Sequence, residues 1–379
     1  MTTMKILLTG GGTGGHFYPL IAIAEELLEV AEKQKIIDLK LYYMSDAPYD
    51  RRMLFENKIT FVQIPSGKMR TYFSIKNFFD IFPLAIGMFF GLITMFFIYP
   101  DVVISKGGYA ALPAVFAARL LRIPVIIHES DSIPGRLNEW TAKFAKRVAV
   151  SWPEAGEHFP KNKTALTGQP IRKEILHASP EGAFEFFKLD PKLPVILVLG
   201  GSQGAEIINN NIIEVLPELL TRYQIIHQTG VKNINDVLAR SKLVMEGDQK
   251  DIIRYVPIPY LNNLATRMAS GVATLIISRA GSAIFEIASW GIPSIIIPIT
   301  NSNGDHQKKN AFSYARSGAC IVLEESNLTS HVLVAEIDRL ITDKAKLDQM
   351  KTSALSFASP DAAIKIAEQA LAIAISHES

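Results

Sequence analysis

Short apolar runs alternate with amphipathic stretches along almost the whole chain, and this alternation restricts the fold more than any other feature. "MKILLTG", "LKLYYMS", "DVVISKGG" and "PVIIHES" in the first half are runs of this kind. So are "PVILVLGG", "YQIIHQTG", "DIIRYVP", "TLIISRAG" and "PSIIIP" in the second. A strand apolar on both faces must be covered on both faces, which is the mark of a parallel strand. Helical patterns such as "PLIAIAEELLEVAEK" lie between the runs. Together they predict an α/β protein with parallel sheets sandwiched by helices.

At 379 residues the chain can bury two cores. The halves open alike, since "ILLTGGGTGGH" and "ILVLGGSQGAE" each carry a strand into a glycine-rich turn and a helix. The join is expected within residues 161–174, near Gly168 and Pro170. That gives domains at 1–167 and 168–356, and a last helix, 357–379, that returns to the first domain. Two doubly wound domains facing each other leave a central cleft at the carboxyl ends of their strands, where such sheets bind ligands.

Composition removes several function classes. The net charge is +2 and no basic patch with base-stacking aromatics appears, so nucleic acid is not an expected partner. The one cysteine, Cys320, excludes an internal disulfide and fits a reducing compartment, and "GACIVLEE" around it reads as a strand. "MTTMKILLTG" lacks the charged and cleavable regions of a secretion signal.

Gly10 to Gly15 formally matches G-x-G-x-x-G. A dinucleotide site also needs an acidic residue about 20 positions on, whereas Asp46 lies about 30 positions past the loop. No Walker lysine motif is present. Glycines at a helix start let backbone N–H groups approach an anion, and the helix adds about half a positive charge. "GGSQGA", with Ser202 and Gln203 as extra donors, is the better diphosphate site of the two. "ISKGGYAALP" places Lys106, Gly107, Gly108 and Tyr109 at a third strand end. "SRAGSAIFE" places Ser282 at a helix start with Glu286 near its first turn. Glu286 fits a capping box as well as it fits a ribose.

Among eight histidines none has metal-ligand spacing, and no D-x-D occurs. His16 is the residue a phosphate loop does not need. At a cleft mouth an imidazole suits removal of a proton from a hydroxyl nucleophile, although a capping role would also place it there. Residues 81–99, "IFPLAIGMFFGLITMFFIY", carry no charge. A span there would put neighbouring strands on opposite sides of a bilayer, and Pro83, Gly87 and Gly91 interrupt the run. With Lys68, Arg70 and Lys76 before it, and Trp140, Lys143, Phe144, Lys146 and Arg147 in a later helix, shallow insertion into an anionic leaflet is favoured over a helix buried all round.

With these residues in hand the chain resembles, nearly end to end, the MurG family of peptidoglycan glycosyltransferases, in glycosyltransferase family 28. The resemblance rests on "GGTGGHFYPLIAIAEEL", "SGKMR", "SKGGYAALPA", "HESDSIPGRLNE", "TGQPIR", "GGSQGA", "SRAGSAIFEIASWGIPSIIIP" and "DHQKKNA". It implies a GT-B fold and inverting transfer of N-acetylglucosamine (GlcNAc) from UDP-GlcNAc. The acceptor would be the 4-hydroxyl of the muramoyl sugar in undecaprenyl-diphosphoryl-MurNAc-pentapeptide, lipid I. No metal or cofactor is implied. Location would be peripheral, on the cytoplasmic face of the plasma membrane, with an anionic membrane surface and other wall-synthesis proteins as further partners.

Carried over by motif, His16 is the candidate base, and Thr13, Gly14 and Gly15 face the substrates. Asp131 contacts the sugar, standing where many members have an amide, and Arg172 meets the nucleotide. Ser202 hydrogen-bonds the diphosphate with Gln203 as a further donor, Leu261 presents backbone to uracil, Glu286 binds the ribose hydroxyls, and Ser282 and Ala283 also bind substrate. Gln307 binds sugar hydroxyls, while Gly107, Gly108 and Tyr109 lie on the acceptor side. Competing readings are a glycolipid synthase, a UDP-GlcNAc 2-epimerase, or a non-catalytic nucleotide-sugar binder recruited to membranes.

Overall fold

In a computed structural model, residues 3–67, 75–201, 204–248, 250–300 and 305–378 are described, with backbone alone for 75–81 and 378. They form two compact units, Met1–Lys173 with Ser359–Ser379, and Glu174–Ala358.

The first unit holds a seven-stranded parallel sheet. Its strands are β1 (Met4–Thr9), β2 (Leu39–Ser45), β3 (Ile59–Gln63), β4 (Val102–Ser105), β5 (Val125–Glu129), β6 (Arg147–Val150) and β7 (Thr164–Leu166). Their order is β3-β2-β1-β4-β5-β6-β7. The second unit holds six parallel strands, β8 (Val195–Leu199), β9 (Gln224–Gln228), β10 (Tyr255–Ile258), β11 (Ala273–Ser278), β12 (Ser294–Ile296) and β13 (Cys320–Val322), ordered β10-β9-β8-β11-β12-β13. Both are doubly wound. The direction of winding reverses between β1 and β4 in one sheet and between β8 and β11 in the other, and such switch points open a crevice at the carboxyl ends.

The strands read from apolar runs are all present. β6 and β7, which carry no clear apolar run, complete the first sheet's edge, β6 pairing with β5 and β7 with β6. The core of the first unit joins Phe17, Leu20 and Ile21 of the helix Gly14–Lys33 to Ile366, Ala370, Leu371 and Ala374 of the helix Ala362–Glu378. The segment after β7 is fastened to the same unit. Gly168 O bonds His128 Nε2, the Arg172 guanidinium lies 4.1 Å from the Tyr18 ring centre, and Lys173 bonds Glu29 and, at 3.2 Å, Glu26.

The apolar segment is the helix Ile75–Ile98, which runs through Pro83 without a break. Gly87 and Gly91 do not interrupt it. With Met95 they form its buried stripe, and Gly91 lies so close to Pro113 that an added Cβ would come within 3.2 Å of it. A Cβ on Gly87 would overlap the Pro65 carbonyl at 1.8 Å, so this face exists because it has no side chains. The opposite face exposes Phe82, Phe89, Phe90, Phe96 and Phe97, so the helix is not buried all round. Among the described residues no helix is long and apolar enough to cross a membrane. Lys68 and Arg70 lie outside the described residues, as does the side chain of Lys76.

Leu371 is wholly buried in the first unit's core, so Leu371→Ala should cost about 2–5 kcal/mol in that unit's unfolding free energy. Denaturant unfolding would measure it, and a cost below about 1 kcal/mol would mean the last helix is not integral to this core.

Candidate functional site

At the first switch point the turn after β1 is drawn tight. A Cβ on Gly11 would sit 2.7 Å from both Ala110 Cβ and Ser45 Oγ, which is why the position has no side chain. Thr13 is the N-cap residue, and its carbonyl accepts from His16 N and Phe17 N, both at 3.1 Å. Thr13 Oγ1 and His16 Nδ1 share a 2.9 Å hydrogen bond, which fixes the ring. The other nitrogen, Nε2, faces Gly108, where a Cβ would stand 3.5 Å from it. Gly108 adopts φ +80°, the left-handed conformation that favours glycine here.

Four charged or ionisable groups converge here. Lys106 is buried and its Nζ has no hydrogen-bond partner among the described residues. Burial lowers the Lys106 pKa to about 8, against the pull of Glu129 and Asp131. Burial also lowers His16, to about 4, with the Lys106 ammonium adding to the shift and Asp131 opposing it. An imidazole in this condition is neutral near pH 7, because burial disfavours its protonated form. Glu129 braces the loop that carries Asp131. Its Oε1 accepts from Asp131 N at 3.0 Å, and its Oε2 accepts from Gly135 N and Asn138 Nδ2, both at 2.9 Å. Asp46 proves to stand at the carboxyl end of β2, beside β1. Its distance along the chain is long because the intervening helix runs for 20 residues. Its carboxylate engages the Tyr109 hydroxyl, whose pKa is raised by burial and then by this acid.

At the second switch point β8 leads into Gly200 and Gly201, and the turn is closed by Gly204 N donating to Gly201 O at 3.1 Å. Ser202 and Gln203 lie outside the described residues. The helix Glu206–Leu219 follows and presents its N-terminus to this turn. On the other side of the crevice Ser282 is the N-cap residue of the helix Ala283–Trp290, without a side-chain cap bond. Glu286 is then the fourth residue of that helix, one past the capping-box position, so the register removes the capping reading. Leu261 is buried, and its carbonyl accepts from Thr266 Oγ1 at 3.3 Å. Gln307 is the second residue of the helix His306–Arg316, and its Oε1 accepts from Ile299 N at 3.2 Å.

The structure thus brings Thr13, Gly14, Gly15, His16, Gly107, Gly108, Tyr109 and Asp131 to one crevice edge. Ser282, Ala283, Glu286, Leu261 and Gln307 come to the loops of the other sheet. Arg172 is held within the first unit on Tyr18.

Comparison with known proteins names the chemistry. The glycosyltransferase family 28 N-terminal domain matches residues 6–150, and the C-terminal domain of the same family matches residues 195–366. The chain belongs to glycosyltransferase family 28. Within that family it is similar to UDP-N-acetylglucosamine–N-acetylmuramyl-(pentapeptide) pyrophosphoryl-undecaprenol N-acetylglucosamine transferases. That of Clostridium novyi is 36% identical and aligns over 91% of this chain and 93% of its own length. That of Listeria monocytogenes is 32% identical over 98% of this chain and 99% of its own. The crystal structure of Acinetobacter baumannii MurG superposes with TM-score 0.73 at 26% identity, covering 97% of this chain and 99% of that one. A Neisseria meningitidis UDP-GlcNAc 2-epimerase shares the fold, with TM-score 0.66 at 16% identity over 97% of this chain and 100% of that one.

Family membership makes the glycine turns and Glu286 readable from motifs, but three features of the site have no motif signal. They are the complete burial of the Lys106 ammonium, the bracing of the Asp131 loop by Glu129, and the link between Asp46 and Tyr109. A carboxylate two residues before Asp131 in "HESD" was the one available hint of the second.

Replacing Lys106 with Met removes a like charge from beside His16. The His16 pKa should rise from about 4 and stay below 6.5, because burial remains the larger cause. Histidine Cε1–H NMR titration would measure it, and an unchanged or lower value would show that Lys106 does not act on this ring.

Proposed function

We propose that the chain transfers GlcNAc from UDP-GlcNAc to the 4-hydroxyl of the muramoyl sugar of undecaprenyl-diphosphoryl-MurNAc-pentapeptide, converting lipid I to lipid II. The observation that carries this reading is similarity to transferases so named over more than nine tenths of both chains.

The geometry supports a single displacement. With Nδ1–H donating to Thr13 Oγ1, His16 Nε2 carries the lone pair and takes the proton of the acceptor hydroxyl. That oxygen forms the new bond to the anomeric carbon as the bond to the UDP oxygen breaks, and the electron pair leaves with the diphosphate. The N-terminus of the helix Glu206–Leu219, the turn from Gly200 to Gly204 with Ser202 and Gln203, and Arg172 stabilise that leaving charge. Glu286 holds the ribose hydroxyls, Leu261 meets the uracil, Ser282 and Ala283 line the ribose, and Gln307 and Asp131 contact the sugar.

A lipid-borne acceptor needs an enzyme at the membrane surface. The exposed phenylalanine face of Ile75–Ile98 supplies apolar area for shallow insertion, and Lys143, Lys146 and Arg147 supply cations for an anionic cytoplasmic leaflet. Arg119 stacks on Trp140 and Phe144, with its guanidinium 5.4 and 5.0 Å from the ring centres.

Incubation with UDP-GlcNAc and a short-chain lipid I analogue should release UDP, and no release by folded protein would end this reading. His16→Ala should lower kcat roughly 10²–10⁴-fold with little change in UDP affinity; equal loss of both would make His16 a binding residue. Phe89 and Phe96 are 62% and 61% exposed, so Phe89→Glu with Phe96→Glu should release the protein from anionic vesicles without unfolding it. Retention in a flotation assay would place membrane binding elsewhere.

A further inference from the structure

Three strand ends of the second unit are tied together by one carboxylate that the reaction described above does not use. Glu325 follows β13. Its Oε1 pairs with Arg279 Nη1, just after β11, at 2.6 Å. Its Oε2 accepts from Thr300 N at 2.8 Å and from Thr300 Oγ1 at 2.6 Å, in the segment after β12. Arg279 Nη1 also donates to Ile297 O at 3.1 Å, so the guanidinium bridges the same segment from its other end. Both side chains are largely buried, with relative exposures of 15% for Arg279 and 10% for Glu325. Burial alone would raise the Glu325 pKa, but the Thr300 bonds and then the Arg279 pair outweigh it and hold the carboxyl below its usual range.

The segment held this way is the one that meets Gln307. Ile299 N, one residue before Thr300, donates to Gln307 Oε1. The neighbouring Glu324 reaches across to Lys308, next to Gln307, at 2.6 Å. That pair is solvent-exposed and adds little energy. The Arg279–Glu325–Thr300 cluster is different, because the Arg279 and Glu325 side chains are largely buried and one carboxylate takes charge-assisted, directional bonds from both Arg279 and the exposed Thr300. It fixes the Ile299 N–H and, through it, the orientation of the Gln307 amide.

We infer that Glu325 is a positioning residue for the donor sugar, setting where Gln307 presents its amide by anchoring Ile299 and Thr300. This rests on the reading of Gln307 as a sugar contact. Among the described residues, those of the nucleotide loops at Gly200–Gly204 and at Leu261 share no bond with the cluster, so the effect falls on the sugar rather than on UDP.

The test compares UDP with UDP-GlcNAc binding by titration calorimetry on the full chain, with no acceptor needed. Glu325→Gln keeps the shape and loses the charge. UDP-GlcNAc affinity should fall roughly tenfold while UDP affinity stays within about twofold. In turnover assays KM for UDP-GlcNAc should rise more than kcat falls. Thr300→Val, which keeps the backbone donor, should show a smaller loss in the same direction. If Glu325→Gln unfolds the chain, Thr300→Val decides. Parallel weakening of both ligands, or no change in either, overturns the proposal. A wild-type chain that binds both ligands but transfers nothing to the lipid acceptor overturns the transferase reading alone. A wild-type chain that binds UDP and UDP-GlcNAc equally overturns the sugar clamp.

Discussion

A parallel strand can only be re-entered from the end at which the chain first entered it, and the rest of this protein follows from that constraint. Every connection must cross back over the sheet, so helices cover both faces and every strand-to-helix turn falls on one edge. Reversal of winding between β1 and β4, and between β8 and β11, then opens two turns in each sheet toward that sheet's own crevice. The glycine-rich turns, His16 and Glu286 are all found at these positions. The residues assigned to chemistry are scattered through the sequence, but all of them follow the carboxyl ends of parallel strands, at the switch points or at neighbouring strands, for a topological reason.

The two units handle charge in opposite ways. In the first, Lys106 is taken out of water with no hydrogen-bond partner among the described residues, and its field falls on His16, His128, Glu129 and Asp131. Such a group costs free energy in the resting fold. Its charge adds to the effect of burial in holding the His16 imidazole below its usual range. In the second unit the buried charges are matched, Arg279 with Glu325, and the pair acts on geometry by tying down backbone. One arrangement shifts the titration of a neighbouring imidazole and the other fixes backbone between strand ends.

The Ile75–Ile98 helix shows how one apolar segment serves two demands. Its composition suits either a buried helix or a membrane-facing one. The i, i+4, i+8 spacing of Gly87, Gly91 and Met95 lets the backbone approach Pro65 and Pro113, which leaves the phenylalanines no room on that side. Packing by glycine turns the aromatic face outward. In the sequence these glycines look like helix interrupters, because the neighbour that makes them useful is distant along the chain.

Much of the fold was legible from the residues alone. Nine apolar runs marked the central strands, and the paired strand–glycine–helix openings marked the two halves, because burial on both faces and tight turns leave local signatures. β6 and β7 left none, being short and partly exposed, and they join the sheet by pairing in turn, β6 on β5 and β7 on β6. Asp46 looked misplaced by its spacing until the length of the Gly14–Lys33 helix accounted for it. The capping and ligand readings of Glu286 were equal in the sequence, and the observed start of the helix at Ala283 separated them. The sequence by itself determined which backbone segments are strands and which turns must be glycine, since sterics and hydrophobicity act locally. Only the tertiary structure decided that Lys106 lacks a hydrogen-bond partner among the described residues, that Glu129 braces the Asp131 loop and that Glu325 joins three strand ends, because charge and hydrogen bonding depend on residues that only folding makes neighbours.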